Sequence, residues 1–402
     1  MAKPGVSERG KIDSFIVMDL MRDAAAKQRE LEVSGSAQQV LHLEVGQPST
    51  GAPSPVKEAA VQAVQGDKLG YTEAFGIRPL RERLAKHYKH RYSVDVSSDD
   101  IAITTGSSGA FVVVFTAAFD PGDRVAMASP GYPCYRNILG SLGVEVVQMP
   151  VCNDTNWQPT VAMLEDLIKD GKPLKGLIIA SPSNPTGTIL SPEDFKGICD
   201  FCARNSVRLI SDEIYHGITI DGQNTCSLTY NQDSIVINSF SKYFSMTGWR
   251  LGWVVCKDAE FKKGLEALLQ NLFISAPTLS QQAGIAAFDS EDELQAHVLR
   301  YKTNAKVLSA GLPLAGFKDI SRPQGAFYLY CNVEELIALW GAADSMALCR
   351  LILAQCAVAC TPGLDFDPVR GGKYIRFSFA GATADMEEAC VRLQEWYKGK
   401  AV

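Results

Sequence analysis

The sequence predicts an α/β protein: a large domain with a mostly parallel seven-stranded sheet between helices, joined to a smaller α+β domain. Three observations carry this. Short apolar runs stand at 100–106, 123–129, 143–150, 174–181, 206–213, 234–241 and 251–256. Several are continuously apolar, the pattern of strands covered on both faces. Helix-like stretches separate them, and that alternation argues for parallel pairing.

The elements follow in order. "DIAITTG" and "DRVAMAS" open the series, then "GVEVVQMP", "LKGLIIAS", "SVRLISDE", "SIVINSFS" and "LGWVVC". Between the fourth and fifth, "PEDFKGICDFCARN" (192–205) reads as a helix with Ser191 as N-cap and Pro192 at its first position. Past residue 290 the character changes. A long helix is expected over 295–312, then "GAFYLYCNV" (325–333), a helix around 345–356, and "KYIRFSFA" (373–380). The expected division is a large domain over 46–290, with 12–45 and 291–402 forming the small one. There is no internal repeat or low-complexity tract.

With 402 residues the chain has room for two or three domains and an ample core. A net charge of −6, with 46% apolar and 21% charged residues, argues against a nucleic-acid surface. No apolar run has the length of a membrane span, and "MAKPGVSERGKIDSF" lacks the apolar stretch of a signal peptide. A cytoplasmic protein is expected, with no membrane or nucleic-acid partner. Eleven scattered cysteines do not suggest a disulfide framework. Cys199 and Cys202 form one C-x-x-C pair, but nothing nearby completes a zinc site, so they read as buried cysteines on one helix face and no metal is expected.

Ligands of open α/β sheets sit at the carboxyl ends of the strands, and the polar residues gather there. Gly106-Ser107-Ser108-Gly109 follows the first strand, "PSNPTG" the fourth, "DEIY" ends the fifth and "SK" the sixth. Each has a bland reading. The Gly/Ser segment is a phosphate cradle at a helix N-terminus or an ordinary turn. Asp212 holds a cation or caps the next segment. Lys242 is a desolvated, nucleophilic amine or a lysine snorkelling to the surface. Together, a phosphate cradle, an imine-forming lysine and a carboxylate suited to a ring nitrogen meet the needs of pyridoxal phosphate. Ser239, Ser241 and Arg250 add phosphate donors.

These residues resemble the class I/II aminotransferases, fold type I of the pyridoxal-phosphate enzymes, over about residues 15–396. "SFSKYFSMTGWRLG" resembles the family's lysine signature, and "SPSNPTG" and "SDEIY" resemble two further segments. The resemblance implies a ping-pong transfer of an amino group from an L-amino acid to a 2-oxo acid. Lys242 would form the internal aldimine and shuttle the proton, and Asp212 would pair with the pyridine nitrogen. Tyr215 and Asn184 would bind the ring's phenolic oxygen, and Tyr132 would stack on the ring. Gly106, Ser107, Ser108, Ser239, Ser241 and Arg250 would hold the phosphate. Tyr71 would reach the neighbouring subunit's phosphate, which implies a homodimer with shared sites. Arg376 would grip the substrate carboxylate and Gly46 would close over it.

Some aspartate-using relatives carry a lysine where Ser108 stands, and "NLFISAPTLS" (271–280) holds no arginine for a second carboxylate. Neutral or aromatic substrates are the expectation. Two other readings are open to the sequence. One is a lyase, decarboxylase or aldolase on the same fold; a carboxylate held by Arg376 argues against decarboxylation. The other is a ligand-sensing transcription regulator, which needs a DNA-binding domain that the sequence ahead of the resemblance does not supply.

Overall fold

A computed structural model describes residues 5–66 and 68–401. Its centre is a seven-stranded sheet of β1 (Ile101–Thr104), β2 (Arg124–Ser129), β3 (Glu145–Pro150), β4 (Gly176–Ala180), β5 (Arg208–Asp212), β6 (Ile235–Ser239) and β7 (Gly252–Val255), in the order β1-β7-β6-β5-β4-β2-β3. Every pairing is parallel except the two made by β7. Each strand lies within one of the apolar runs. β1, β6 and β7 are buried at every position, so both of their faces are covered.

Three apolar clusters sandwich this sheet. One centres on Phe111, Phe115 and Tyr135, one on Leu80, Leu84 and Trp253, and one on Phe195, Ile198 and Phe201. The last comes from helix Pro192–Arg204, where Ser191 Oγ accepts the Asp194 N–H at 3.0 Å as an N-cap should. Cys199 and Cys202 are buried on that helix, and burial pushes both thiols up to about 12.

The second part holds β8 (Tyr328–Asn332), β9 (Thr361–Pro362) and β10 (Tyr374–Ser378) as an antiparallel sheet in the order β9-β10-β8. Its core joins Leu308, Phe317, Phe327, Ile352 and Phe377 with Leu20, Leu41 and Leu43 from the N-terminal segment. Leu41 pairs in parallel with Val358, so the chain's start is built into this part. The long helix runs Glu291–Leu314, four residues earlier than the apolar pattern indicates. Glu291, Asp292 and Glu293 carry no periodicity, yet they suit the positive end of a helix dipole. Among the described residues no single helix is long and apolar enough to cross a membrane.

Candidate active site

Register places the polar strand ends side by side. Ala180 pairs with Asp212, and Asp212 with Ile237, so the turns after β4, β5 and β6 open at one level. On the far side Gly252 stands between Ser239 and Thr104. A side chain there is impossible: a Cβ on Gly252 would lie 2.8 Å from the Gly106 carbonyl carbon and 2.9 Å from the Asn238 oxygen. That gap lets the first turn of helix Gly106–Ala118 approach the sheet. Gly106 itself has φ +74°, and a Cβ built on it would lie 2.5 Å from Arg250 Nη2, so only glycine leaves room for that guanidinium. The helix starts with no side-chain cap, so its first N–H groups are free to meet an anion.

These elements enclose a cavity of about 310 Å³ lined by Gly46, Ser107, Ser108, Tyr132, Asn184, Asp212, Tyr215, Ser241, Lys242, Arg250 and Arg376. The Lys242 ammonium donates to the Gly46 carbonyl and lies 5.9 Å from the Tyr215 ring centre. Desolvation, reinforced by Arg376 and Arg250, lowers its pKa to about 8. Asp212 is buried, accepting from the Ile214 N–H at 3.0 Å and from the Tyr135 hydroxyl. Burial raises its pKa to about 6 despite those bonds and the charge of Lys242. Among the described residues Asp212 forms no ion pair within 4 Å.

Arg376 is 4% exposed and held through both terminal nitrogens. Its Nη1 donates to Asn184 Oδ1 at 2.9 Å, and its Nη2 donates to the Glu44 carbonyl and, at 3.3 Å, to Thr361 Oγ1. Its guanidinium lies 4.5 Å from the Tyr328 ring centre and 4.7 Å from that of Phe366. Among the described residues its Nε has no partner. A Cβ on Gly46 would come within 2.1 Å of the Tyr328 hydroxyl, so glycine is the residue that fits there.

Two of the expected residues lie off the cavity of the single chain, Tyr71 as a reach toward the neighbouring subunit's phosphate requires. Ser239 is buried behind the cavity, and its Oγ accepts the Ser241 N–H at 2.9 Å. Its hydroxyl braces the turn that presents Ser241. Tyr71 is 85% exposed in the single chain and does not line the cavity. Four residues escaped sequence reasoning. Tyr135 stands in the first turn of helix Pro133–Ser141, three residues after its N-cap Tyr132, and that spacing is a usable signal for a shared face. Tyr328 alternates with apolar neighbours on β8 and places its hydroxyl 2.7 Å from that of Tyr215. Asp365 closes the short 3-10 helix Gly363–Asp365 and Phe366 caps it, with no pattern to mark either.

The cavity thus brings a buried carboxylate, a lysine of lowered pKa and a buried arginine together beside a helix N-terminus with no side-chain cap, a grouping characteristic of a functional site. The model of aminotransferase class I and II matches residues 38–393, and the chain belongs to that family. It is an aminotransferase of a family that depends on pyridoxal phosphate.

Particular relatives bring the comparison closer. The valine–pyruvate aminotransferase of Mycobacterium tuberculosis is 44% identical over 395 residues, 97% of this chain and 98% of that protein. The crystal structure of an aminotransferase from Mycobacterium tuberculosis superposes with a TM-score of 0.93 at 43% identity, covering 99% of this chain and 100% of the other. The aspartate aminotransferase from Thermus thermophilus with maleate is more distant, with a TM-score of 0.87 at 26% identity over 98% of this chain and 100% of the other.

Proposed function

We propose that this enzyme exchanges the amino group of a neutral aliphatic L-amino acid, such as valine, with a short 2-oxo acid, such as pyruvate, by a ping-pong cycle through Lys242. Three cations line the cavity among the described residues, Lys242, Arg250 and Arg376, and each has a task in this reading. A second substrate carboxylate would find none left. The lining also carries apolar side chains, among them Phe15, Val17, Met18, Val45, Ile214 and Phe366. The name of the 44% identical relative supports the same substrates.

The residues fit pyridoxal phosphate. Ser107, Ser108, Ser241, Arg250 and the first N–H groups of the Gly106 helix would hold the phosphate. Asp212 would meet the ring nitrogen, Tyr215 and Asn184 the phenolic oxygen, and Tyr132 the ring face. When bound, the cofactor supplies the electron sink for the bond broken at the substrate's Cα.

The chain's own residues do the rest. Arg376 fixes the carboxylate and so decides which Cα bond can break. Lys242, whose amine is neutral at moderately alkaline pH, takes that proton and returns it. Tyr328 holds the Tyr215 hydroxyl, and Tyr135 orients Asp212. Two chains would share their sites, Tyr71 of one reaching the phosphate of the other. The exposed Tyr71 supports that reading, and eleven free thiols suit a reducing, cytoplasmic setting.

The observation that carries the reading is the convergence of Lys242, Asp212 and a buried Arg376 on one cavity. Initial rates with valine and pyruvate test it. Parallel double-reciprocal lines are expected; intersecting lines, or no turnover of any neutral amino acid, refute it.

A further inference from the structure

Helix α1 (Ile16–Val33) lines the cavity with Val17, Met18 and Met21, and its N-cap Phe15 does so too. Nothing in its own sequence caps it, since Phe15 at the cap position offers no acceptor. The acceptor comes from 349 residues away. Asp365 Oδ1 accepts the Ile16 N–H at 3.0 Å, and Oδ2 accepts the Val17 N–H at 3.4 Å. The Asp365 carbonyl in turn accepts from Arg136 Nη2 at 2.8 Å. Arg136 lies on helix Pro133–Ser141, next to Tyr135. Two neighbouring contacts tie the same corner: Asn137 Nδ2 donates to the Asp13 carbonyl at 3.1 Å, and the Phe15 and Tyr132 rings lie 5.9 Å apart. Asp365 itself lines the cavity and adjoins Phe366, on whose ring the Arg376 guanidinium rests.

We propose that Asp365 is a specificity-determining positioning residue: it seats the first turn of α1 as the wall that meets the substrate's side chain, and it denies that helix N-terminus to a second substrate carboxylate. This rests on the aliphatic amino-acid reading above. The physical logic has two parts. An uncapped helix N-terminus facing the cavity would attract an anion through its free N–H groups and dipole. Asp365 already occupies those donors, so a dicarboxylate meets a like charge there instead of a partner. The same two bonds hold Val17 and Met18 toward the substrate, which turns that end of the cavity apolar.

The test compares kcat/KM of the holoenzyme for valine, alanine and glutamate in wild type, Asp365→Asn and Asp365→Ala. Asp365→Ala is expected to lose about tenfold or more with valine, mainly in KM, the range of a displaced hydrophobic wall. Alanine, which is too short to use that wall, changes by less than about threefold, and glutamate improves. Asp365→Asn keeps an acceptor for the Ile16 N–H and is expected to fall between; it decides the matter if the alanine variant does not accumulate as holoenzyme. An equal loss with all three amino acids marks a merely structural role and overturns the proposal. So does an unchanged valine-to-glutamate ratio in an enzyme whose wild type prefers valine. A wild type that prefers glutamate overturns the aliphatic reading itself, and this proposal with it.

Discussion

Replacing Asp212 with Asn is expected to stabilise the cofactor-stripped protein while abolishing its activity. The buried carboxylate has a pKa of about 6 against the ordinary 3.8, because desolvation outweighs the bonds from Tyr135 and Ile214 and the charge of Lys242. A carboxylate whose folded pKa lies above its unfolded one favours folding only while it is protonated. Its cost appears as pH rises past the unfolded value and is complete above the folded one. The gap between the two corresponds to about 3 kcal/mol above pH 7, and to about half of that at pH 5. The amide removes the charge yet still offers an acceptor to the Ile214 N–H. Urea unfolding of the stripped proteins at pH 7.5 and pH 5 measures both margins. The reasoning is refuted if the Asn variant is no more stable at pH 7.5, or if its margin is the same at both pH values. Added cofactor should reverse the ranking, since a cation beside Asp212 turns the buried charge from a cost into a partner.

Five further outcomes follow from the same geometry. Cofactor loading of the stripped protein should accelerate as pH rises through about 8, where Lys242 loses its proton, and Lys242→Ala should lower turnover at least about 10²-fold. Tyr135→Phe removes a donor from Asp212; it should cost about 1–3 kcal/mol in urea unfolding and push the carboxylate's titration higher still. Gly46→Ala forces a methyl group against the Tyr328 hydroxyl and should cost about 1–3 kcal/mol while raising KM for the amino acid. Mixing inactive Lys242→Ala and Tyr71→Ala subunits should restore activity in the mixed dimers, because one site then has both residues; no recovery on exchange refutes the shared site.

The seven strands were legible because a doubly covered strand must be apolar along its whole length, as in "IVINS" and "GWVV". The site was legible for a related reason. Polar residues placed straight after such strands, as Asn184, Asp212 and Lys242 are, have few structural uses. What escaped was what tertiary contact alone decides. Ser239 reads like its neighbour Ser241, but the turn sends its hydroxyl to a backbone N–H. Tyr135 and Tyr328 read as core aromatics, and only their hydroxyl partners reveal more. Asp365 serves a helix at the other end of the chain, a partnership that no local pattern encodes. Arg376 alternates on a strand like any surface residue; its motif marked it, and its burial then follows from Asn184 and Glu44.

The most direct test of the central claim is a half-reaction. The purified holoenzyme is mixed with valine in the absence of any 2-oxo acid, and the absorbance spectrum is followed together with the 2-oxo product. The account predicts that the band of the aldehyde cofactor gives way to that of its amine form, with one 2-oxo acid released per site, and that pyruvate then restores the first band. A band that persists with valine and every other neutral amino acid would contradict it.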